Sequence, residues 1–229
     1  MEWLVVKVSG RLLNPPSPQW LEELRRSVEE SLARVRLAFV VGGGPLARSY
    51  IQALRPLGVP ESLLDSIGVK ASRLNAYALA LSLQPYASLK VPETVEEAVE
   101  EARRGSVPVM GGLQPGQSTN AVSVSLAEAL RARVVLNLLA DIDGVYVPPP
   151  GRPGSRLVEW LTYEEMEKLI SEYSQIAGAY ELFDLVALKI AERSGVKVFF
   201  TNGRNPRVIA SYARGEKIAG TMLGASGDP

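Results

Sequence analysis

The residues with chemical potential in this chain are glycines and cations at the ends of apolar runs. Phe39-Val40-Val41 stops at Gly42-Gly43-Gly44, and Pro45-Leu46-Ala47-Arg48 then reads as the start of a helix. Proline suits a first helical turn, where its missing N–H has no intrahelical acceptor. Consecutive glycines let the backbone turn sharply and bring its N–H groups against a ligand without interference from a Cβ. The helix N-terminus behind such a turn attracts anions, and Arg48, about one turn in, reaches toward the same anion. The corner therefore reads as a phosphate site, with a ligand-free strand-to-helix turn as the alternative. Gly10, after Trp3 to Val8, and Gly111-Gly112, after Val107 to Met110, repeat the pattern. In a doubly wound sheet, three such strand ends lie along one edge, where ligands bind.

The chain contains no cysteine and no histidine. That excludes disulfides, thiol nucleophiles, zinc clusters and the usual imidazole base. Phosphoryl transfer onto a phosphate acceptor survives the exclusion. A phosphate monoester with a second pKa near 6 is mostly dianionic at neutral pH and needs no general base. It needs positioning and neutralisation of charge. Lys7 ends the first apolar run, where an ammonium could meet a transferring phosphoryl group. A lysine between Val6 and Val8 also fits a surface position on an edge strand. Asp184 and Lys189 fall on one predicted helix, and either could equally belong to a solvated charge pair.

These residues need elements to hold them. Strands are expected at Trp3–Val8, Leu37–Val41, Val107–Met110, Val134–Leu139 and Val196–Thr201, with a possible edge strand at Ile218–Leu223. Helices are expected from Ser17 to about Leu32, from the glycine corner to about Leu57, and from Pro60 to Leu83 with a break near Gly68. Others cover Val95–Arg103, the stretch after Thr119 to about Leu130, Leu182–Ser194 and Asn205–Arg214. Thr162-x-x-Glu165 is a capping box that opens one more, to about Glu172. Strand and helix alternate throughout, which argues for an α/β fold, a mostly parallel sheet covered on both faces. The one soft seam lies near 130–135.

The composition is that of an ordinary globular protein: 46% hydrophobic, 22% charged, with no net charge over 229 residues. Nothing in that balance favours nucleic acid or an anionic membrane. No apolar run approaches a membrane span, and Met1-Glu2-Trp3 does not open like a signal peptide, so a cytoplasmic protein is expected.

The Walker A pattern is absent. Gly42-x-Gly44-x-x-Ala47 satisfies the relaxed dinucleotide fingerprint, but its expected acid should end a second strand, and Leu63-Leu64-Asp65-Ser66 follows a helix. Six motifs recur in order. They are Lys7-Val8-Ser9-Gly10, Gly42-Gly43-Gly44 with Ala47-Arg48, Asp65-x-x-Gly68 with Arg73-x-Asn75-Ala76, Gly112-x-x-Pro115-Gly116-x-Ser118-Thr119, Asp143-Gly144-Val145-Tyr146 and Asp184-x-x-Ala187-x-Lys189. Together they resemble the amino acid kinase superfamily and, within it, the archaeal type of uridylate (UMP) kinase, over nearly the whole chain.

The resemblance implies a three-layer αβα sandwich with two lobes in one domain, about 1–130 for the phosphate acceptor and about 131–229 for ATP. It implies transfer of the ATP γ-phosphoryl to UMP, giving UDP and ADP in pyrimidine nucleotide biosynthesis. UMP would be held by Gly43, Asp65 and the loop Leu113-Gln114-Pro115-Gly116-Gln117-Ser118-Thr119, with Asp65 on the ribose hydroxyls. ATP would lie against Gly10, Arg11, Gly44 and Arg48 through its phosphates, and against Ala140, Asp141 and Tyr146 through its adenosine. Lys7, Asp184 and Lys189 would form the catalytic set, Asp184 orienting Lys7. Mg²⁺ would be carried by ATP oxygens and water, not by protein carboxylates. A homohexamer inhibited by UTP is also implied. The chain departs from the family pattern twice, at Asn120, where an aspartate is usual, and at Val147-Pro148-Pro149-Pro150, where Asp-Pro is usual. A superfamily kinase acting on a carboxylate or carbamate, and a nucleotide-binding storage or regulatory protein, remain as alternatives.

Overall fold

The computed structural model describes residues 1–173 and 182–225. Its centre is the first apolar run, β1 (Trp3–Val8), whose side chains are buried on both faces beyond Trp3. A strand buried on both sides belongs in the middle of a parallel sheet covered by helices. Parallel neighbours are β2 (Arg36–Val41) on one side and β4 (Val134–Leu139) on the other. β3 (Val109–Met110) flanks β2, and β8 (Lys197–Asn202) flanks β4. Beyond β8 lie β9 (Thr221–Gly224), antiparallel to it, and β7 (Trp160–Thr162), which gives the order β3-β2-β1-β4-β8-β9-β7. A separate hairpin pairs β5 (Tyr146–Val147) with β6 (Arg156–Leu157).

Alternation along β1 sends Leu4, Val6 and Val8 to one face and Val5 with Lys7 to the other. The first face packs against α1 (Pro18–Leu32), α3 (Glu61–Ser82) and α8 (Val208–Ala213). The second packs against α4 (Val95–Arg103), α5 (Thr119–Leu130), α6 (Tyr163–Tyr173) and α7 (Leu185–Ser194). The result is the αβα sandwich. α2 (Gly44–Leu54) packs on α3 beside the glycine corner. Among the described residues, no helix is long and apolar enough to cross a membrane.

Several expected boundaries move, each for a local reason. α3 runs unbroken through Gly68, since one glycine inside a helix costs only about 1 kcal/mol against alanine and the flanking turns carry the helix across it. α2 ends at Leu54 and a 3₁₀ turn covers Arg55–Leu57. Val107 makes only a bridge to Ala87, since Pro108 has no N–H to continue the ladder, and β3 starts at Val109. The C-terminal strand is not the edge: β9 sits inside the sheet and β7 takes the edge. α7 starts at Leu185, leaving Asp184 as its N-cap and not a helical residue. The seam near 130–135 is the left-handed turn at Arg131 that delivers the chain from α5 to β4.

Candidate active site

Because β3, β2 and β1 are parallel neighbours, Gly111, Gly42 and Gly10 follow their C-terminal ends side by side. The turns after β1 and β2 touch through backbone: a Cβ on Gly10 would lie 2.4 Å from both the Gly42 oxygen and the Gly44 nitrogen. Gly44 also has φ +62°, which disfavours any side chain there. Among the described residues, the N–H groups of Gly43 and Gly44 have no hydrogen-bond acceptor. They border a cavity of about 440 Å³ whose walls include Arg48, Asp65, Ser72, Gln114, Gly116, Gln117, Ser118 and Thr119. That cavity gathers most of the residues expected around UMP; Leu113 and Pro115 are not in its wall.

The loop is anchored from several sides. Gly116 N–H donates to Asp65 Oδ2 at 2.9 Å, so the exposed Asp65 already faces the loop across the cavity. Gly112 N–H donates to Ser72 Oγ at 2.7 Å. Arg73 donates to the carbonyls of Gly112 and Leu113 at 3.0 and 3.1 Å and pairs with Glu93 at 2.6 Å. By sequence alone Arg73 fits a helix surface equally well; the structure half-buries it under the loop.

Lys7 occupies the centre of the sheet, opposite Val40 on β2 and Asn137 on β4, with only 9% of its surface exposed. The edge-strand alternative is therefore excluded. It faces the layer of α5 and α7, whose N-caps are Ser118 and Asp184. Ser118 Oγ donates to Asp184 Oδ2, and Asp184 Oδ1 accepts from Ala187 N–H at 3.0 Å. Burial pushes the Lys7 ammonium down to about 8, against a smaller upward pull from the Asp184 carboxylate. No ion pair or hydrogen bond occupies the ammonium among the described residues. A buried cation without a hydrogen-bonded partner is poised for an anion.

Asn120, one residue into α5, accepts from Asn137 Nδ2 at 3.4 Å and donates to the Leu182 carbonyl at 3.2 Å, bracing the segment before Asp184. Its amide serves as donor and acceptor at once, which an aspartate there could not do.

The residues expected around ATP divide into two groups. Gly10, Gly44 and Arg48 lie at the glycine corner, whereas Arg11, expected there too, turns its guanidinium to Asp141 instead. Ala140 and Asp141 line a second hollow of about 530 Å³ beside Arg11, Trp20 and Arg204. Asp141 joins Arg11 at 2.6 Å and Arg204 at 2.8 Å, and those hydrogen bonds, Arg11's first, hold its carboxyl below the ordinary range. Tyr146 lies on the β5–β6 hairpin, its hydroxyl 3.5 Å from Asp143 Oδ2. Lys189 is not brought to the cluster in this state: it is exposed and paired with Glu167 at 2.7 Å and Glu192 at 3.0 Å.

Asn75 stands in one of the sequence motifs, but its role is visible only in the fold. It lies 5% exposed within α3, donating to the carbonyls of Gly42 at 2.8 Å and Gly43 at 3.2 Å. Asn14 donates to the Gly10 carbonyl at 2.7 Å and to Asn75 Oδ1 at 3.3 Å. The signal in the sequence is an amide at helical spacing with the apolar residues Ala76, Leu79 and Ala80, since a buried polar side chain has to have partners.

A parallel sheet whose glycine-lined tips hold free N–H groups and an unpaired buried lysine defines a protein built to bind phosphorylated ligands. The amino acid kinase family model matches residues 2–202, and the chain belongs to that family. It is 47% identical over 219 residues to the uridylate kinase of Aeropyrum pernix, covering 95% of this chain and 97% of that protein. It is 39% identical to the uridylate kinase of Hyperthermus butylicus, covering 96% and 98%. The crystal structure of the uridylate kinase from Archaeoglobus fulgidus superposes with a TM-score of 0.86 at 34% identity, covering 98% of this chain and all of that one.

Proposed function

We propose that this chain is a UMP kinase, moving the γ-phosphoryl group of ATP to the phosphate of UMP to give UDP and ADP. The observation that carries the reading is Lys7: a central, buried and unpaired ammonium one residue before the end of β1, on the strand that pairs with the one leading into Gly42-Gly43-Gly44. Similarity to named uridylate kinases at up to 47% identity over nearly the full length supports the choice of acceptor.

In this reading UMP fills the cavity between Gly43, Asp65 and the loop 113–119, within the lobe formed by about 1–130. Asp65 offers a carboxylate to a vicinal diol, and Ser118 and Thr119 offer hydroxyls. ATP approaches from the lobe formed by about 131–229, its phosphates near Gly10, Arg11, Gly44 and Arg48 and its adenosine near Ala140, Asp141 and Tyr146. The acceptor phosphate is already nucleophilic, so no residue has to remove a proton. Lys7 and the glycine N–H groups stabilise the charge that spreads over the equatorial oxygens of the transferring group. Asp184 keeps the ammonium charged and directed, itself fixed by Ser118 and the Ala187 N–H. Lys189 joins the ATP phosphates only after leaving Glu167 and Glu192.

The carboxylates of the cavity, the second hollow and the neighbouring cap and hairpin each have a partner: Asp65 the Gly116 N–H, Asp184 Ser118, Asp141 two arginines and Asp143 Asn202 at 2.9 Å. Among the described residues no group of three or more acidic, histidine or cysteine side chains converges on a cation position. The donor set therefore fits Mg²⁺ held by ATP oxygens and water, where it would neutralise charge on the β- and γ-phosphates. A cytoplasmic homohexamer restrained by UTP completes the proposal.

A coupled assay of ADP release with ATP against UMP, CMP, AMP and carbamate tests it. Turnover with UMP is expected. Phosphorylation of carbamate or a carboxylate with none of UMP would overturn the acceptor assignment. Calorimetric binding of UMP without ADP release would mark a storage or regulatory protein instead.

A further inference from the structure

We infer that Asn75, backed by Asn14, is a positioning residue that aims the phosphate-binding N–H groups of the glycine corner. In a planar trans peptide the C=O of one residue and the N–H of the next point in opposite directions. Whatever holds the carbonyls of Gly42 and Gly43 therefore sets the directions of the Gly43 and Gly44 N–H groups. Three glycines in a row have little conformational preference of their own, so left alone these peptide units would rotate.

Asn75 supplies the restraint. Its Nδ2 donates to both carbonyls, at 2.8 and 3.2 Å, from the protein side of the turn. The only other hydrogen bond to either carbonyl among the described residues is the long 3.4 Å one from Ala47 N–H to Gly43, at the start of α2. Asn14 extends the clamp to the neighbouring turn, holding the Gly10 carbonyl at 2.7 Å and Asn75 Oδ1 at 3.3 Å. Two amides thus fix three carbonyls, and the N–H groups that follow Gly42 and Gly43 belong to residues lining the cavity and have no protein partner among the described residues. Asn75 is buried within a helix that needs no amide for its own stability, and an isolated polar group there would be costly. Its partners are the glycine turns, so its contribution lies in their orientation. Only an amide serves in this position, because aspartate, of the same shape, would turn an acceptor toward two carbonyl oxygens.

The inference rests on the phosphate-binding reading of the corner, and the test separates the two. Calorimetry on the full chain compares UMP and uridine as ligands of the unaltered protein, Asn75→Asp and Asn14→Ala, with folding checked by thermal denaturation. If the unaltered protein fails to prefer UMP over uridine, the phosphate reading itself falls. If it prefers UMP, Asn75→Asp is expected to weaken UMP by at least about tenfold, the scale of one lost donor, with uridine affinity within a factor of two. Asn14→Ala, which leaves α3 intact, is expected to weaken UMP by a smaller factor with uridine again unchanged, and it carries the test if Asn75→Asp does not fold. Equal loss for UMP and uridine would reduce Asn75 to a packing residue and overturn the inference, as would no loss in either folded variant.

Discussion

Replacing Lys7 by methionine should stabilise the protein while disabling it. Methionine keeps an unbranched side chain of similar reach and removes the charge. Burial lowers the lysine from 10.5 to about 8, with Asp184 recovering only part of the loss. At 1.36 kcal/mol per unit, holding the ammonium charged at neutral pH costs the native state about 3 kcal/mol. The unfolded chain keeps its proton to about pH 10.5 while the native one releases it near 8. Between those values the unfolded state binds more protons, so the unaltered protein gains stability as pH rises through the window. Below pH 8 the penalty is present in full. Lys7→Met removes it, and urea unfolding of the nucleotide-free protein at pH 7 should show the variant roughly 2–3 kcal/mol more stable, the gap closing toward pH 10. In the coupled assay the same variant should lose about 10²–10³-fold in kcat, the scale of one lost transition-state donor. A folded Lys7→Met protein no more stable than the parent at pH 7 would refute the assigned cost of desolvation. Turnover within a few-fold of normal would refute the catalytic role.

Asp184→Asn removes the charge that lifts Lys7, so the alkaline fall in kcat/KM, expected near pH 8 in the unaltered enzyme, should move to lower pH. A pH–rate profile of both proteins checks the direction. Gly44→Ala combines a left-handed φ of +62° with a Cβ 2.4 Å from the Gly10 backbone, whereas Gly58→Ala has a φ of +75° and open space. Thermal denaturation should show about 1 kcal/mol lost at Gly58 and clearly more at Gly44, with UMP binding lost only at Gly44. Asp65→Asn should raise KM for UMP by about tenfold with kcat nearly unchanged, because a ground-state contact to the ribose is weakened. Steady-state kinetics against ATP, whose KM should not move, isolates the effect.

The stretches that could be read directly were those whose meaning is local. Phe39-Val40-Val41 followed by three glycines and a proline specifies a buried strand, a sharp turn and a helix start within a few residues. The Thr162–Glu165 capping box is likewise local, and Thr162 Oγ1 accepts from Glu165 N–H at 3.1 Å. The absence of histidine and cysteine restricts the chemistry before any fold is known. Apolar runs alternating with amphipathic ones suffice for the parallel α/β class.

What needed the tertiary structure depends on neighbours distant in the chain. Lys7 is central and not at an edge because β4, some 130 residues later, pairs beside it. That burial, together with a carboxylate brought from the cap of α7, sets its proton affinity. Asp184 belongs to a cap and not to a helix because Ser118 and the Ala187 N–H divide its two oxygens. Asn75 acquires its role only when α3 packs under two glycine turns. Chain-local preferences follow from covalent geometry and side-chain pattern, which are written in order along the sequence. Desolvation, charge pairing and the aim of a backbone N–H arise between segments, and only folding brings those segments into range.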